Sequence, residues 1–311
     1  MKAAQISDYG HADIIKVVEV DEPKAGKDQV LVAVHASSIN PFDTSVREGY
    51  LKDAIPLKLP VTLGGDIAGV VQAVGDGVVS VKVGDKVYGQ ANVVAGNSGA
   101  FAEAAVTAAK QLALMPGNVD YNEAAALALT GASALQAMTE HIKLQKGQKI
   151  LIHGGAGGIG TIAIQIAKHL GAYVATTATG DGLDYVKGLG ADEVIDYKSQ
   201  AFDELLHDYD AVFDTVAGET YDRSFKVLRS GGIIVSMTQQ PKSELMEQYG
   251  VSAFAQQTHV TTEILNDLTK LVEDKVVTPH VDKSYPLAEI QEAFKARESG
   301  TVKGKVVVSI Q

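Results

Sequence analysis

The six residues Gly155-Ala156-Gly157-Gly158-Ile159-Gly160 constrain this chain more than any other stretch. They follow an apolar run at 149–153. They open a segment in which Ile159, Ile162, Ala163, Ile166, Ala167 and Leu170 recur at helical spacing, and Gly171 stands where a left-handed helix end belongs. A G-x-G-x-x-G turn between a strand and an amphipathic helix implies a parallel strand–helix–strand unit, because the helix must pack back over the sheet. Gly155 permits the tight turn, Gly157 lets a diphosphate approach the backbone, and Gly160 allows close helix–strand packing. The amides at the helix start, those of Gly158 and Ile159 included, then face anionic oxygens. The alternative, a glycine-rich turn that binds nothing, is disfavoured by the strand and helix on either side.

The texture of the chain changes once. Up to about residue 123, short apolar segments (29–35, 67–74, 87–88) are punctuated by turns such as Gly84-Asp85, which reads as β architecture. From 124 an Ala-rich helix leads into strands at 149–153, 173–177, 193–196, 211–215 and 233–237, each followed by a helical or loop segment, a spacing that fits a doubly wound parallel sheet. After about 260 a helical pattern runs through Ile264, Leu265, Leu268, Leu271 and Val272, and a last apolar strand begins at Lys305. No repeat or low-complexity tract interrupts this order.

Composition removes several function classes. The 311 residues include no cysteine, so disulfides, thiolate nucleophiles, iron–sulfur clusters and sulfur-liganded zinc sites are excluded. The eight histidines show no metal-ligand spacing, and no G-x-S-x-G elbow suggests hydrolysis. A net charge of -11 with no Lys/Arg run argues against nucleic-acid partners. The first residues lack a signal-peptide pattern, and the least polar stretch, 124–138, is too short to span a bilayer, so a cytoplasmic protein with no membrane partner is expected.

The end of the second strand of the parallel sheet bears on cofactor choice. NAD-selective sites place a carboxylate there to bond the ribose 2′-hydroxyl. This chain has Thr176-Thr177-Ala178-Thr179, with no carboxylate until Asp181. A carboxylate repels a 2′-phosphate, so the pattern favours NADPH, with Thr177 and Thr179 as candidate hydroxyl donors. Gly180-Asp181 in place of a basic residue leaves use of NADH open.

Taken in order, Ser38-Ile39-Asn40-Pro41-Phe42-Asp43, Leu63-Gly64-Gly65-Asp66-Ile67-Ala68-Gly69, Val83-Gly84-Asp85-Lys86-Val87-Tyr88-Gly89, the glycine turn, Leu189-Gly190-Ala191-Asp192, Phe213-Asp214-Thr215-Val216 and Gly304-Lys305-Val306-Val307 resemble the medium-chain dehydrogenase/reductase superfamily. The likeness is to its zinc-free quinone oxidoreductase and alkenal reductase branch and covers nearly the whole chain. It implies an α/β fold: a GroES-like β-rich substrate domain from residues 1–123 and 261–311, and a Rossmann NADP-binding domain over 124–260 with a doubly wound parallel sheet. The active site would lie in the cleft between them. Zinc-containing relatives carry Cys where this chain has Asn40 and His where it has Gly65, so the resemblance implies no catalytic zinc, and no flavin signature is present. It also implies a homodimer.

Residue by residue, the resemblance places Asn40 beside the nicotinamide with Asp43 orienting it, Thr130 beside the cofactor, and Tyr197, with Lys198 as a charge partner, near the ribose phosphate. An Asx turn or helix cap at Asn40-Pro41, helix packing at Thr130 and a plain surface tyrosine at 197 are the competing readings. Tyr50, after Gly49, is a candidate hydrogen-bond donor to a substrate carbonyl, and Lys305 a candidate cofactor contact, against an ordinary loop tyrosine and a strand-end lysine. Without metal, flavin or thiol, the chemistry is hydride transfer to an acceptor needing little acid assistance: a quinone, or an α,β-unsaturated carbonyl. Two alternatives stand beside it, a 2-enoyl thioester reductase and a non-catalytic NADPH-binding sensor or structural protein.

Overall fold

A computed structural model describes residues 1–311 of the chain. Short strands fill its first part: β1 (Lys2–Ile6), β2 (Lys16–Glu19), β3 (Gln29–Ser38), then α1 (Pro41–Arg47), β4 (Val61–Thr62), β5 (Asp66–Val74), β6 (Lys86–Gln90), β7 (Ala104–Ala108) and β8 (Leu112–Leu114), before α2 (Tyr121–Gln136). Helix α1 begins where it does for a local reason. Pro41, which has no N–H to lose, occupies the first turn, and the Asp43 carboxylate accepts the N–H of Asn40 at 2.7 Å.

The parallel sheet follows, as β9 (Lys149–Ile152), α3 (Gly158–His169), β10 (Tyr173–Ala178), α4 (Gly182–Gly188), β11 (Glu193–Asp196), α5 (Phe202–Leu205), β12 (Tyr209–Asp214), α6 (Glu219–Ser224), β13 (Leu228–Ser236), α7 (Ser243–Tyr249) and β14 (Ser252–Ala255). All six strands are parallel, in the order β11-β10-β9-β12-β13-β14. The order reverses at β9, the strand that ends in the glycine turn, which is the switch point where doubly wound sheets take ligands. Ile150, Leu151, Ile152, Val212, Phe213, Ile234 and Val235 are fully buried, the run expected of strands covered on both faces. Two features escape the sequence pattern. Strand β13 starts at Leu228 and runs through Gly231-Gly232, a pair that reads as a turn, and β14 is a four-residue edge strand that leaves Phe254 half exposed.

The chain ends with α8 (Thr262–Glu273), β15 (Val281–Pro286), α9 (Ile290–Glu298) and β16 (Lys305–Ser309). Its α8 buries Leu265, Leu268 and Val272, and the Tyr88 hydroxyl donates to the Leu265 carbonyl at 2.7 Å. Strand β16 pairs antiparallel with β3, Val307 opposite Ser38, in the order β15-β16-β3-β5-β6-β8, with β7 also on β3. A smaller sheet runs β2-β1-β4. The chain forms two compact units, one of Met1–Leu129, Val260–Glu273 and Pro279–Gln311, the other of Thr130–His259 and Asp274–Thr278. The first packs Ile6, Ile39, Leu63, Phe101, Phe294, Val306 and Val308 into one core, and the second packs Leu151, Ile195, Tyr209, Val212, Phe225 and Ile234 into another.

Candidate functional site

Chemistry-bearing side chains gather at two places, one in each unit. In the first unit, the pairing of β16 with β3 sets Lys305 against the turn that leaves β3. The Lys305 Nζ donates to the Ile39 carbonyl at 2.8 Å and to Asn40 Oδ1 at 2.5 Å, and lies 4.0 Å from Asp66 Oδ2. Asn40 Nδ2 donates to Asp66 Oδ2 at 2.7 Å, so both ends of the Asn40 amide are committed and its orientation is fixed. Asp66, at the start of β5, also accepts from the Ser38 hydroxyl at 2.7 Å and the Leu129 N–H at 3.2 Å. Asn40, Asp43, Asp66 and Lys305 are all buried.

The electrostatics separate the two carboxyls. Burial pushes the Asp43 carboxyl up to about 7; its one hydrogen bond, from Asn40, and the charges of Lys305 and Arg297 only partly offset burial and the repulsion of Asp66. Burial raises Asp66 too, but Lys305, Asn40, Ser38 and Leu129 all stabilise its charge. A carboxyl that accepts three hydrogen bonds beside an ammonium is the ionised partner of the pair. Burial also lowers Lys305, to about 8, against the pull of Asp66 and Asp43.

In the second unit the glycine turn closes as the sequence motif demands. A Cβ on Gly155 would lie 2.0 Å from Thr176 Oγ1, and one on Gly160 would lie 2.2 Å from the Gly154 carbonyl, so neither position admits a side chain. Gly157 differs: an added Cβ meets only the Gly154 carbonyl, at 3.3 Å, and the space beyond is open. The amides of Gly158, Ile159 and Gly160 open α3 and have no carbonyl a turn behind them within the helix, which leaves them for an anion. Ile162, Ala163, Ile164, Ile166 and Ala167 are buried behind them, while Ile159 and Leu170, expected on the same face, are half-buried.

The expected 2′-phosphate group divides. The Thr177 hydroxyl is buried, receives the Gly154 N–H at 3.2 Å and lies 3.2 Å from His153 Nδ1. The Thr179 hydroxyl bonds Asp196, whose carboxylate also takes the Lys198 N–H at 3.1 Å and the Ser199 hydroxyl at 3.1 Å; these bonds hold Asp196 below the usual carboxylate range. Asp196 stands level with Ala178 across β10 and β11, a carboxylate one strand over that a search along β10 alone does not find. Tyr197 is 55% exposed and donates its N–H to the Ala178 carbonyl, and Lys198 is exposed next to it. Both side chains are displayed just beyond the end of β11.

Thr130 is buried on α2. Tyr50 is 75% exposed after α1 and is not part of the buried cluster. Lys305, a candidate cofactor contact by sequence, is buried with its ammonium turned onto Ile39 and Asn40. Asp66 was not foreseen as a partner, and neither was Arg47, which is buried with its guanidinium on the Gly10 carbonyl and Glu298 and over the Phe294 ring.

A switch-point glycine turn under a six-stranded parallel sheet, in a chain whose remaining residues form a GroES-like β unit, defines a Rossmann-type dinucleotide-binding chain. The family described as alcohol dehydrogenase GroES-like domain matches residues 26–117, and the one described as zinc-binding dehydrogenase matches residues 189–308. A relative from Arabidopsis thaliana named NADPH-dependent alkenal/one oxidoreductase, chloroplastic, is 35% identical over 99% of this chain and 79% of its own length. The quinone oxidoreductase of Coxiella burnetii superposes with a TM-score of 0.93 at 32% identity, covering 100% of this chain and 99% of the other. The Escherichia coli quinone oxidoreductase complexed with NADPH superposes at 0.90 with 27% identity, covering 99% of this chain and 100% of the other. The chain belongs to the medium-chain dehydrogenase/reductase superfamily, in its quinone oxidoreductase and alkenal reductase branch.

The zinc in one family description does not fit the residues here. No group of three or more His, Asp or Glu side chains is placed to hold a metal, and there is no cysteine. At Asn40 the position beside the carboxylate is already taken by the Lys305 ammonium. A dinucleotide fits the glycine turn, where Gly157 leaves a cradle that a Cβ would fill and the helix-mouth amides point to an anion.

Proposed function

We propose that this chain is an NADPH-dependent reductase that transfers a hydride to a quinone or to the β-carbon of an α,β-unsaturated carbonyl, with neither zinc nor flavin. The observation that carries the reading is the Gly155 to Gly160 turn at the mouth of α3, with its first-turn amides free of helical partners, in a chain of this branch. When bound, NADPH supplies the two electrons as hydride; the matching proton comes from water. The backbone of Gly157, Gly158 and Ile159 holds the diphosphate, and Tyr197 and Lys198 take the 2′-phosphate. Thr130 lies along the cofactor. Asn40 lines the substrate side, its amide locked by Lys305 and Asp66, and Asp43 holds the Asn40 backbone.

The roles of these residues, a homodimeric state and a cytoplasmic location belong to the same proposal. No helix is long and apolar enough to cross a membrane, and the net charge of -11 disfavours nucleic acid. The test is loss of reduced-nicotinamide absorbance with NADPH, and with NADH as control, over quinones, enones, enals and enoyl thioesters. Turnover of quinones or of enones and enals, faster with NADPH, is the expected result. A lack of oxidation with every acceptor in the set overturns the enzyme reading, and turnover of enoyl thioesters alone moves the assignment to a thioester reductase. Metal analysis of the active protein checks the zinc-free part: a stoichiometric zinc ion sinks it.

A further inference from the structure

The histidine that ends β9's apolar run has no role in the reading above. His153 is fully buried, its ring edge-on to Phe202 at 4.6 Å between centroids, and both ring nitrogens have partners. Nε2 lies 2.9 Å from Ser224 Oγ, and Nδ1 lies 3.2 Å from Thr177 Oγ1. The proton order follows from the outer ends of this chain. Ser224 has one hydroxyl proton and gives it to the Thr220 carbonyl at 2.7 Å, which can only accept. The contact with His153 is therefore satisfied only if Nε2 carries the proton and donates to Ser224 Oγ. A neutral ring protonated at Nε2 leaves Nδ1 as an acceptor, so the Thr177 hydroxyl donates to it. Thr177 then has a lone pair aimed back at the Gly154 N–H, which it accepts at 3.2 Å.

The result is one directed run of hydrogen bonds: Gly154 N–H to Thr177, Thr177 to His153, His153 to Ser224, and Ser224 to the Thr220 carbonyl on α6. Two further bonds hold the same place. The Thr215 hydroxyl donates to the His153 carbonyl at 2.8 Å, and the Gly155 N–H donates to the Thr177 carbonyl at 3.0 Å. Burial keeps the imidazole neutral by lowering it to about 4; Asp214 pulls the other way and Arg223 adds to the lowering. The Asp214 carboxylate is itself committed to the Val216 and Ala217 amides and the Ser236 hydroxyl.

We propose that His153 is a positioning residue for the cofactor turn: it orients the Thr177 hydroxyl so that Thr177 clamps the Gly154 amide and sets the backbone that presents the helix-mouth amides. The inference rests on the reading that the turn from Gly155 to Gly160 holds the diphosphate of NADPH. It gives Thr177 a different task from the one suggested by its place at a strand end. Its only proton is spent on His153, so it has none to offer a phosphate.

The test separates the two arms of the ring. His153→Asn retains an acceptor oxygen near the Nδ1 position, His153→Gln retains a donor near Nε2, and His153→Leu retains neither. Two readouts are taken: the NADPH dissociation constant, and hydrogen exchange of the Gly154 amide in the cofactor-free protein, with kcat at saturating NADPH alongside. His153→Leu and His153→Gln are expected to raise the NADPH Kd by about tenfold, equivalent to roughly 1.4 kcal/mol, and to speed Gly154 exchange, with kcat within about twofold of wild type, the signature of lost binding rather than lost chemistry. His153→Asn restores both readouts. Should the ring variants unfold, Thr177→Val and Thr177→Ser make the same comparison at the other end of the bond, with Ser restoring what Val loses. Equal Gly154 exchange in all variants, or rescue by Gln and not by Asn, overturns the clamp. Failure of the wild type to bind NADPH overturns the cofactor reading instead, and Gly154 exchange still decides the clamp.

Discussion

Replacing Asp43 by Asn tests the electrostatics of the Asn40 cluster directly. Asp43 is 4% exposed and accepts a single hydrogen bond, from the Asn40 N–H, while Asp66 repels it from close by. Its carboxyl is raised from 3.8 to about 7. A raised acid binds its proton more tightly in the folded protein, so its contribution to stability is complete below the unfolded value and is lost as pH climbs through the folded one. At ~1.4 kcal/mol per pH unit, the move from 3.8 to about 7 is worth on the order of 4 kcal/mol. An asparagine side chain at this position keeps an acceptor oxygen for the Asn40 N–H and has no proton to lose. In urea unfolding followed by far-UV circular dichroism, the wild type should lose stability relative to Asp43→Asn by about 1.4 kcal/mol per pH unit from about pH 4 to about pH 7, and the difference should then level off. A difference that stays constant across that range would mean that Asp43 titrates as an ordinary surface carboxyl, and the argument from burial would fail.

Three further outcomes follow from the same geometry. Lys305→Met should cost roughly 3–5 kcal/mol in the same urea experiment, because it strands the Asp66 carboxylate without its cation, and Asp66→Asn added to it should recover part of that loss; additive losses in the double variant refute the pairing. Gly157→Ala, whose Cβ would meet only the Gly154 carbonyl at 3.3 Å, should leave the thermal midpoint close to wild type while raising the NADPH Kd at least about tenfold, roughly 1.4 kcal/mol; an unchanged Kd removes the turn from the cofactor site. Lys198→Ala should weaken NADPH by about the worth of one exposed charge contact, up to roughly 1 kcal/mol, and leave NADH unchanged, as read by parallel titrations; equal effects on both nucleotides place Lys198 away from the 2′-phosphate.

What could be read along the chain was what the chain states locally. The apolar runs that become β9, β10, β11 and β12, the face of α3 and the glycine turn all depend on neighbours within a few residues, and periodicity reports them directly. Strand β13 was half hidden because Gly231-Gly232 reads as punctuation although its backbone continues the ladder, and β14 because an exposed edge needs no apolar run. The buried cluster lay beyond reach for another reason. The bond from Lys305 to Asn40 joins residues 265 positions apart, and only the register of β16 on β3 brings them together. A lysine opening a Val-Val-Val strand did carry a signal, since an ammonium beside a buried ladder needs an internal partner; nothing local says that the partner is Asn40 rather than solvent or a phosphate. The hydroxyls at the end of β10 show the same limit from the other side. A hydroxyl has one proton to give: the Thr179 hydroxyl bonds Asp196, and in the clamp proposed above the Thr177 proton goes to His153, through contacts with strands and turns that no pattern along β10 contains. In this chain motif position therefore identifies which backbone meets the ligand, while the hydrogen-bond accounting of the folded protein decides which side chains remain available to it.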